Sequence, residues 1–322
     1  MARSRPHRRR PAVRGRRGVS PLVSIVIPHH NRVARLIETL GSVARQTFTD
    51  WEVVVVDDCS PTDPTEAILA SFPQARVFRQ AVNRGPGAAR NRGVAEARGR
   101  FVAFLDSDDH WEPEKLAAQV AAVLARPDPD AVICATRTRA VEDGGRERLL
   151  PERAVRPGES FGEFLYLDHG FAQSSSLFLA REAAARIGFA ESLRQFEDHL
   201  FFIEAGNAGL EYVLVPETLV TWFNDSRPDR LTREDDLPKG EAFLAVGRAA
   251  LGRRAALAFE VRFLGPALFR ARPLAALGVF VRALAARALP PRDAVLLAMK
   301  IALPGAVYGR LRARLAGWGT GV

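Results

Sequence analysis

Phe101-Val-Ala-Phe-Leu-Asp106-Ser-Asp108-Asp109 decides the fold class. An unbroken apolar run reads as a strand buried on both faces, and this one ends on three carboxylates within four residues. The same pattern repeats on either side. Runs over 23–27, 51–57, 75–79 and 131–134 are β-branched or apolar and bounded by Pro, Asp or Gly, while 33–46, 64–71, 87–98 and 113–125 carry helical spacing. Strands alternating with helices predict an α/β, Rossmann-like fold, with a mostly parallel sheet covered by helices on both faces. In such sheets ligands sit beyond the carboxyl ends of the strands. The residues found there are Pro28-His-His-Asn31-Arg32, Asp57-Asp58-Cys-Ser60 and Asp106-Ser-Asp108-Asp109.

Charge divides the chain in three. The net charge is +9, yet eight arginines fall within the first 17 residues and the balance from Lys239 onward is +11, so residues 18–238 are acidic. A nucleic-acid binder would carry its positive charge on the folded domain, so no specific nucleic acid is expected as a partner. The domain reading is a basic tail over 1–19, a catalytic domain over 20–238 whose second half (161–223) faces the acceptor, and a helical, basic, apolar segment over 239–322. Apolar windows in that last segment are interrupted by Arg282 and Lys300, and none reaches the roughly 18–20 residues of a spanning helix. Its arginines among Ala and Leu suit helices lying on an anionic membrane surface, with a cap packed on the catalytic domain as the alternative. Arg16-Arg17 precede only a six-residue apolar run, too short for a secretory core, so a cytoplasmic enzyme at the inner face of the membrane is expected. Cys59 and Cys134 lack zinc or disulfide spacing and read as reduced core residues.

Three clustered carboxylates repel one another unless a cation neutralises them or water solvates them. A hard cation, Mg²⁺ or Mn²⁺, held by one or two of them plus a diphosphate is one solution, and a helix N-cap by Asp108 or Asp109 is the other. Asp57 or Asp58, at the end of its own strand, can accept the imide N–H of a uracil. Asn83-Arg84-Gly85-Pro-Gly87-Ala-Ala-Arg90-Asn91 supplies glycines for close backbone approach, a helix N-terminus and cations suited to a diphosphate.

These pieces, in this order, resemble family 2 glycosyltransferases of the GT-A fold. The matching residues are Val23-Ser-Ile-Val-Ile-Pro28 with Asn31-Arg32, Val54-Val-Val-Asp57-Asp58-Cys-Ser60, Asn83-Arg-Gly85 through Gly93, Phe104-Leu-Asp106-Ser-Asp108-Asp109 (a DXD pattern) and Phe196-Glu-Asp198. The resemblance spans about 20–225 and implies a nucleotide-sugar donor, by default a uridine one, and inversion at the transferred sugar. It further implies that Pro28 and Asn31 line the nucleotide pocket, Asp57 or Asp58 meets the base, and Arg90 lies near the pyrophosphate or base. Asp106 would approach the ribose, Asp108 the metal, and Asp198 would be the general base toward a saccharide or lipid-linked acceptor. Gln173-Ser-Ser-Ser176 resembles the small polar run that precedes a strand under the donor sugar, and 222–230 the loop that closes over the phosphates. His30 and His110 depart from the family pattern, and His29, His169 and His199 receive no role. A nucleotidyltransferase and a non-catalytic membrane or nucleic-acid adaptor remain as rivals.

Overall fold

The computed structural model describes residues 20–224 and 237–302, so the basic tail, most of the 222–230 loop and the last twenty residues lie outside the described residues. The amino-terminal half alternates as expected: β1 (Val23–His29), α1 (Val33–Val43), β2 (Trp51–Asp57), α2 (Thr65–Ser71), β3 (Ala75–Arg79), α3 (Pro86–Glu96), β4 (Phe101–Phe104), β5 (His110–Trp111) and α4 (Lys115–Leu124). There follow β6 (Val132–Glu142), β7 (Glu147–Leu150), α5 (Phe161–Tyr166), β8 (Phe178–Ala180), α6 (Arg181–Ile187), α7 (Glu197–Asn207) and β9 (Glu211–Asn224). The carboxyl-terminal helices are α8 (Leu237–Phe259), a π-helical turn (Glu260–Leu264), α9 (Gly265–Ala271), α10 (Pro273–Ala285) and α11 (Pro291–Ala302).

One nine-stranded sheet runs β3-β2-β1-β4-β8-β6-β9-β5, with β7 on the flank of β6. The β3-β2-β1-β4 half is parallel, and beyond it β8 pairs antiparallel to both β4 and β6 while β6 and β9 run parallel. Strand alternation splits the valines of β2 between two faces: Val54 and Val56 pack with Ala89 of α3, and Val53 and Val55 join the main core. Gly93 lets α3 sit directly on β1, since a Cβ there would fall 2.2 Å from Val26 Cγ1.

Beyond residue 134 the sequence reading is too short. It ends its fifth strand at Cys134, whereas β6 runs to Glu142 and turns through Gly144-Gly145, both at positive φ, into β7. A Gly-Gly pair between strand-compatible runs is a hairpin signal. Of the two cysteines, Cys134 is buried, but Cys59 is only half-buried, at φ 59° in the turn after β2. The carboxyl-terminal helices share the main core: Phe243, Phe259 and Leu264 are buried in the same cluster as the strands of the sheet. Phe243 and Phe259 pack against Phe196, the residue preceding Asp198 in the chain by two.

Candidate active site

The carboxyl ends of β1, β2 and β4 open into a cleft of about 340 Å³. It is lined by Pro28, Asn31, Asp58, Asn83, Gly85, Arg90, Asp106, Asp108 and Asp198, so of the residues expected to hold donor or metal or to act as base, Asp57 alone is absent from its wall. Asp57 is buried beneath the turn, where its carboxylate accepts from the Ser60 amide at 3.1 Å and from the Ser60 hydroxyl, with Arg79 at 3.5 Å. It holds the loop. Asp58 faces the cleft and accepts from Gln80 Nε2 (3.0 Å) and from the amides of Arg84 (2.8 Å) and Gly85 (2.7 Å), which fixes the entry to α3. A carboxylate has about four acceptor positions, so one is left for a ligand. Gly85 takes φ 91°, a conformation an L side chain resists, and Pro86 follows at the first helical position.

Repulsion among the clustered carboxylates is relieved mainly by two arginines. Asp106 accepts from Arg90 Nη2 at 2.6 Å and from the Ser174 hydroxyl at 3.1 Å; Asp108 accepts from Arg32 Nη1 at 2.8 Å. Asp109 is buried and accepts from Gln173 Nε2 (2.5 Å) and the Ser175 hydroxyl (2.6 Å). Burial first, and then Asp108 and Asp106, push its carboxyl well above the usual range. Neither Asp108 nor Asp109 caps α4, whose N-cap is Glu114. The polar run 173–176 thus works as a cradle for the carboxylates, and this part of its role carries no local sequence signal.

Arg90 lines the cleft and is held there by carboxylates on two sides. Its side chain is 4% exposed and bridges Asp106 on one side and Glu197 Oε1 (2.7 Å) on the other, with the Phe189 ring 5.2 Å away. Burial opposes its charge, but Asp106, Glu197 and Asp198 outweigh that and raise its pKa. It forms the floor of the cleft. The cations nearer the mouth are Arg32 and Arg194, the latter donating to Asn83 Oδ1 at 2.7 Å.

Asp198 lies in the first turn of α7, beyond Phe196, which adopts a left-handed φ of 65°. For a bulky residue that conformation is strained, and here it aims two consecutive carboxylates at the cleft. Glu197 is spent on Arg90, whereas Asp198 is half-buried and accepts from its neighbour's amide, His199, at 2.8 Å. Burial lifts the Asp198 carboxyl to about 6, Arg90 pulls against that rise and Asp106 adds to it. Asp198 also lines a second cavity, of about 510 Å³, on the far side. His29 and His199 are held neutral by burial, each lowered to about 4.

A nucleotide-sized cleft at the ends of parallel strands, floored by a carboxylate–arginine network and joined to a second cavity at a carboxylate of raised pKa, defines a group-transfer enzyme of the α/β class. The model of Glycosyl transferase family 2 matches residues 24–188, about half of the chain. The amylovoran biosynthesis glycosyltransferase AmsB of Erwinia amylovora is 30% identical over 227 residues, covering 68% of this chain and 73% of the relative. The succinoglycan biosynthesis protein ExoO of Rhizobium meliloti is 30% identical over 245 residues, covering 73% of this chain and 69% of ExoO. Among solved structures, S. aureus TarS 1–349 in complex with UDP-GlcNAc superposes with a TM-score of 0.61 at 22% identity, covering 86% of each chain. The chain belongs to glycosyl transferase family 2, and it is a glycosyltransferase rather than a nucleotidyltransferase or an adaptor. Asp198 and the carboxyl-terminal helices lie beyond the residues that the family model matches.

Proposed function

We propose that this glycosyltransferase moves a sugar, with inversion, from a UDP-sugar onto an acceptor hydroxyl in the synthesis of a cell-surface polysaccharide or glycolipid. The observation that carries this reading is the position of Asp198, a carboxylate of raised pKa shared by the wall of the donor cleft and the wall of a second cavity. A base is needed where the acceptor oxygen meets the anomeric carbon, and this is the one half-free carboxylate at that junction among the described residues. Asp198 takes the hydroxyl proton, the acceptor oxygen forms its bond to the anomeric carbon, and the bond to the diphosphate breaks with its electron pair leaving on the diphosphate. A single displacement of this kind inverts the anomeric centre. The polysaccharide assignment is supported by the amylovoran and succinoglycan relatives, and the UDP-sugar by the TarS complex.

Charge supports a divalent cation. Among the described residues Asp58, Asp106, Asp108, Glu197 and Asp198 face the cleft against Arg32, Arg90 and Arg194, a negative balance for a diphosphate to meet. Among the described residues no group of three or more His, Cys, Asp or Glu forms a metal cage. That fits Mg²⁺ or Mn²⁺ taken up on one or two carboxylates with the diphosphate completing its shell, and Asp108, 20% exposed, is the residue that would hold it. Bound there, the cation would supply charge neutralisation for the departing diphosphate. UDP is expected to raise the melting temperature of the wild type more with Mn²⁺ than with chelator, and Asp108→Asn to lose that metal-dependent increment and its turnover while keeping its fold. Full activity in excess chelator contradicts the metal reading.

A place on the inner membrane surface is the second part of the proposal. No helix among the described residues is long and apolar enough to cross a membrane. On α10, however, Ala276, Val279 and Ala283 are buried while Leu274, Leu277, Val281 and Leu284 are exposed, with Leu274 at 85%. Spacing of three or four residues puts the exposed set on one stripe, and Arg270, Arg272, Arg282 and Arg287 lie around it in the chain. An apolar stripe with cations around it suits insertion among anionic headgroups, each cation adding about 1 kcal/mol near the surface. Leu274→Glu with Leu277→Glu should reduce cosedimentation with anionic vesicles at least tenfold without affecting UDP binding. Deleting the carboxyl-terminal helices is the wrong test, because Phe243 and Phe259 belong to the core. Equal binding of the double variant and the wild type removes α10 from the contact.

A further inference from the structure

Phe196 starts α7 without local support. It is the N-cap, yet it makes no side-chain capping hydrogen bond, and its φ of 65° is one that bulky residues rarely adopt. A strained backbone persists only where its surroundings over-determine it. Asp198 follows two residues later, so whatever holds Phe196 also sets the direction of that carboxylate.

The surroundings are aromatic and come largely from the carboxyl-terminal helices. The rings of Phe259 and Phe263 meet that of Phe196 edge to face, at 5.1 and 5.7 Å between centres, and Phe243 is tilted against it at 5.4 Å. Edge-to-face pairs at such separations are a favoured aromatic geometry. Phe259 and Phe263 also stack on each other at 5.0 Å. Phe263 belongs to the π-helical turn between α8 and α9, a rare form found frequently at functional sites. That turn is pinned by Arg262, which pairs with Asp293 of α11 and donates to the Leu167 carbonyl at 2.9 Å. Tyr166 of α5 packs on Phe243, Phe259 and Phe263, and its hydroxyl is hydrogen-bonded to His199 Nδ1 at 2.7 Å. The cluster therefore grips the chain on both sides of Asp198, at Phe196 and at His199.

We infer that this cluster positions the base: Phe259 and Phe263 hold Phe196 in its left-handed conformation and so keep the Asp198 carboxylate half-buried at the junction of the two cavities. The inference rests on the reading of Asp198 as the base. Phe263 is the informative residue, because it is 41% exposed and absent from the wall of the donor cleft, whereas Phe243 and Phe259 are fully buried. The groups facing Asp198 are Arg90 of α3, Asp106 after β4, Glu197 and His199 of α7, and Tyr166 of α5. Replacing Phe263 removes none of them.

Carbon-detected NMR of the aspartate side chains in the full chain, with the Asp198 signal assigned by its loss in Asp198→Asn, tests this without any substrate. In Phe263→Ala the carboxyl of Asp198 should become more exposed, and its pKa should fall by at least one unit from about 6 toward the ordinary carboxylate value of about 4. UDP affinity should stay unchanged, kcat should drop at least tenfold, and the acid limb of activity should move to lower pH, which a general loss of structure would not cause. Phe196→Gly, which adopts a positive φ without strain and has no ring to grip, supplies the second arm. In that background Phe263→Ala should have no further effect on the pKa or on kcat. If Phe263→Ala does not fold, Phe263→Leu, which keeps apolar bulk without a ring, is read in its place with the same expectations. An unchanged Asp198 pKa in the Phe263 variant overturns the inference, and so does an effect that persists undiminished in the Phe196→Gly background. The expected pKa shift together with full turnover by Asp198→Asn sustains the cluster and sinks the base reading instead.

Discussion

Asp198→Asn is expected to lower kcat by about 10²–10⁴-fold, the usual contribution of a positioned base, while the affinity for UDP stays within a factor of about two. The two effects separate because Asp198 sits at the junction with the second cavity, and the floor of the donor cleft is held by other groups, Arg90 with Asp106 and Glu197. Asparagine keeps the shape and the hydrogen bond from the His199 amide needs only an oxygen, so the fold is retained. The wild type should also lose activity as pH drops below about 6, since the protonated Asp198 carboxyl cannot accept the hydroxyl proton. Steady-state kinetics across pH checks both. A variant that loses UDP binding and retains kcat places Asp198 in the donor pocket.

The second large effect is on stability. Arg90→Met removes the guanidinium that joins Asp106 to Glu197 inside the protein and leaves Glu197 buried without a counter-charge. Breaking a buried pair from one side destabilises by about 3–5 kcal/mol, most of it the penalty of the stranded charge. Arg90→Lys should rescue little, because an ammonium cannot present two donors in the planar fork that spans the two carboxylates and Ser174. In whatever fraction folds, Asp198 loses the attraction that holds its pKa down, and the acid limb of activity moves to higher pH. Urea unfolding and the pH profile read these separately. A loss under about 1 kcal/mol in Arg90→Met means that the network is dispensable to the fold.

The parallel half of the fold is legible because its strands are continuous apolar runs that end on polar loops, and the loops are where the ligand side of such a sheet must be. Pro28, Asp58, Asp106 and Asp108 come from that local grammar, and they meet in one cleft because β1, β2 and β4 are neighbours in parallel register. What the sequence hides is pairing at long range. Arg90 finds Asp106 sixteen positions on and Glu197 more than a hundred, and no periodicity encodes that choice. Asp57 and Asp58 look alike as a dipeptide, yet strand alternation turns one under the loop and the other into the cleft. Lys115 makes the same point, since no local pattern marks it out and it lies fully buried with its ammonium 3.6 Å from the centre of the Trp111 ring. The second cavity was invisible for a related reason. Its walls come from β6, β9, the turn before β8 and the carboxyl-terminal helices, which only the folded chain brings together.

The central claim is that Asp198 delivers an acceptor oxygen to the anomeric carbon of a bound nucleotide-sugar. Anomerically resolved proton NMR of the wild-type reaction, with UDP-sugars and glycoside acceptors in the presence of Mn²⁺, tests it most directly. The account predicts one new glycosidic linkage per UDP released, of anomeric configuration opposite to the donor's, and at least a hundredfold less of it with Asp198→Asn. A product that retains the donor's configuration, or undiminished linkage formation by Asp198→Asn, contradicts it.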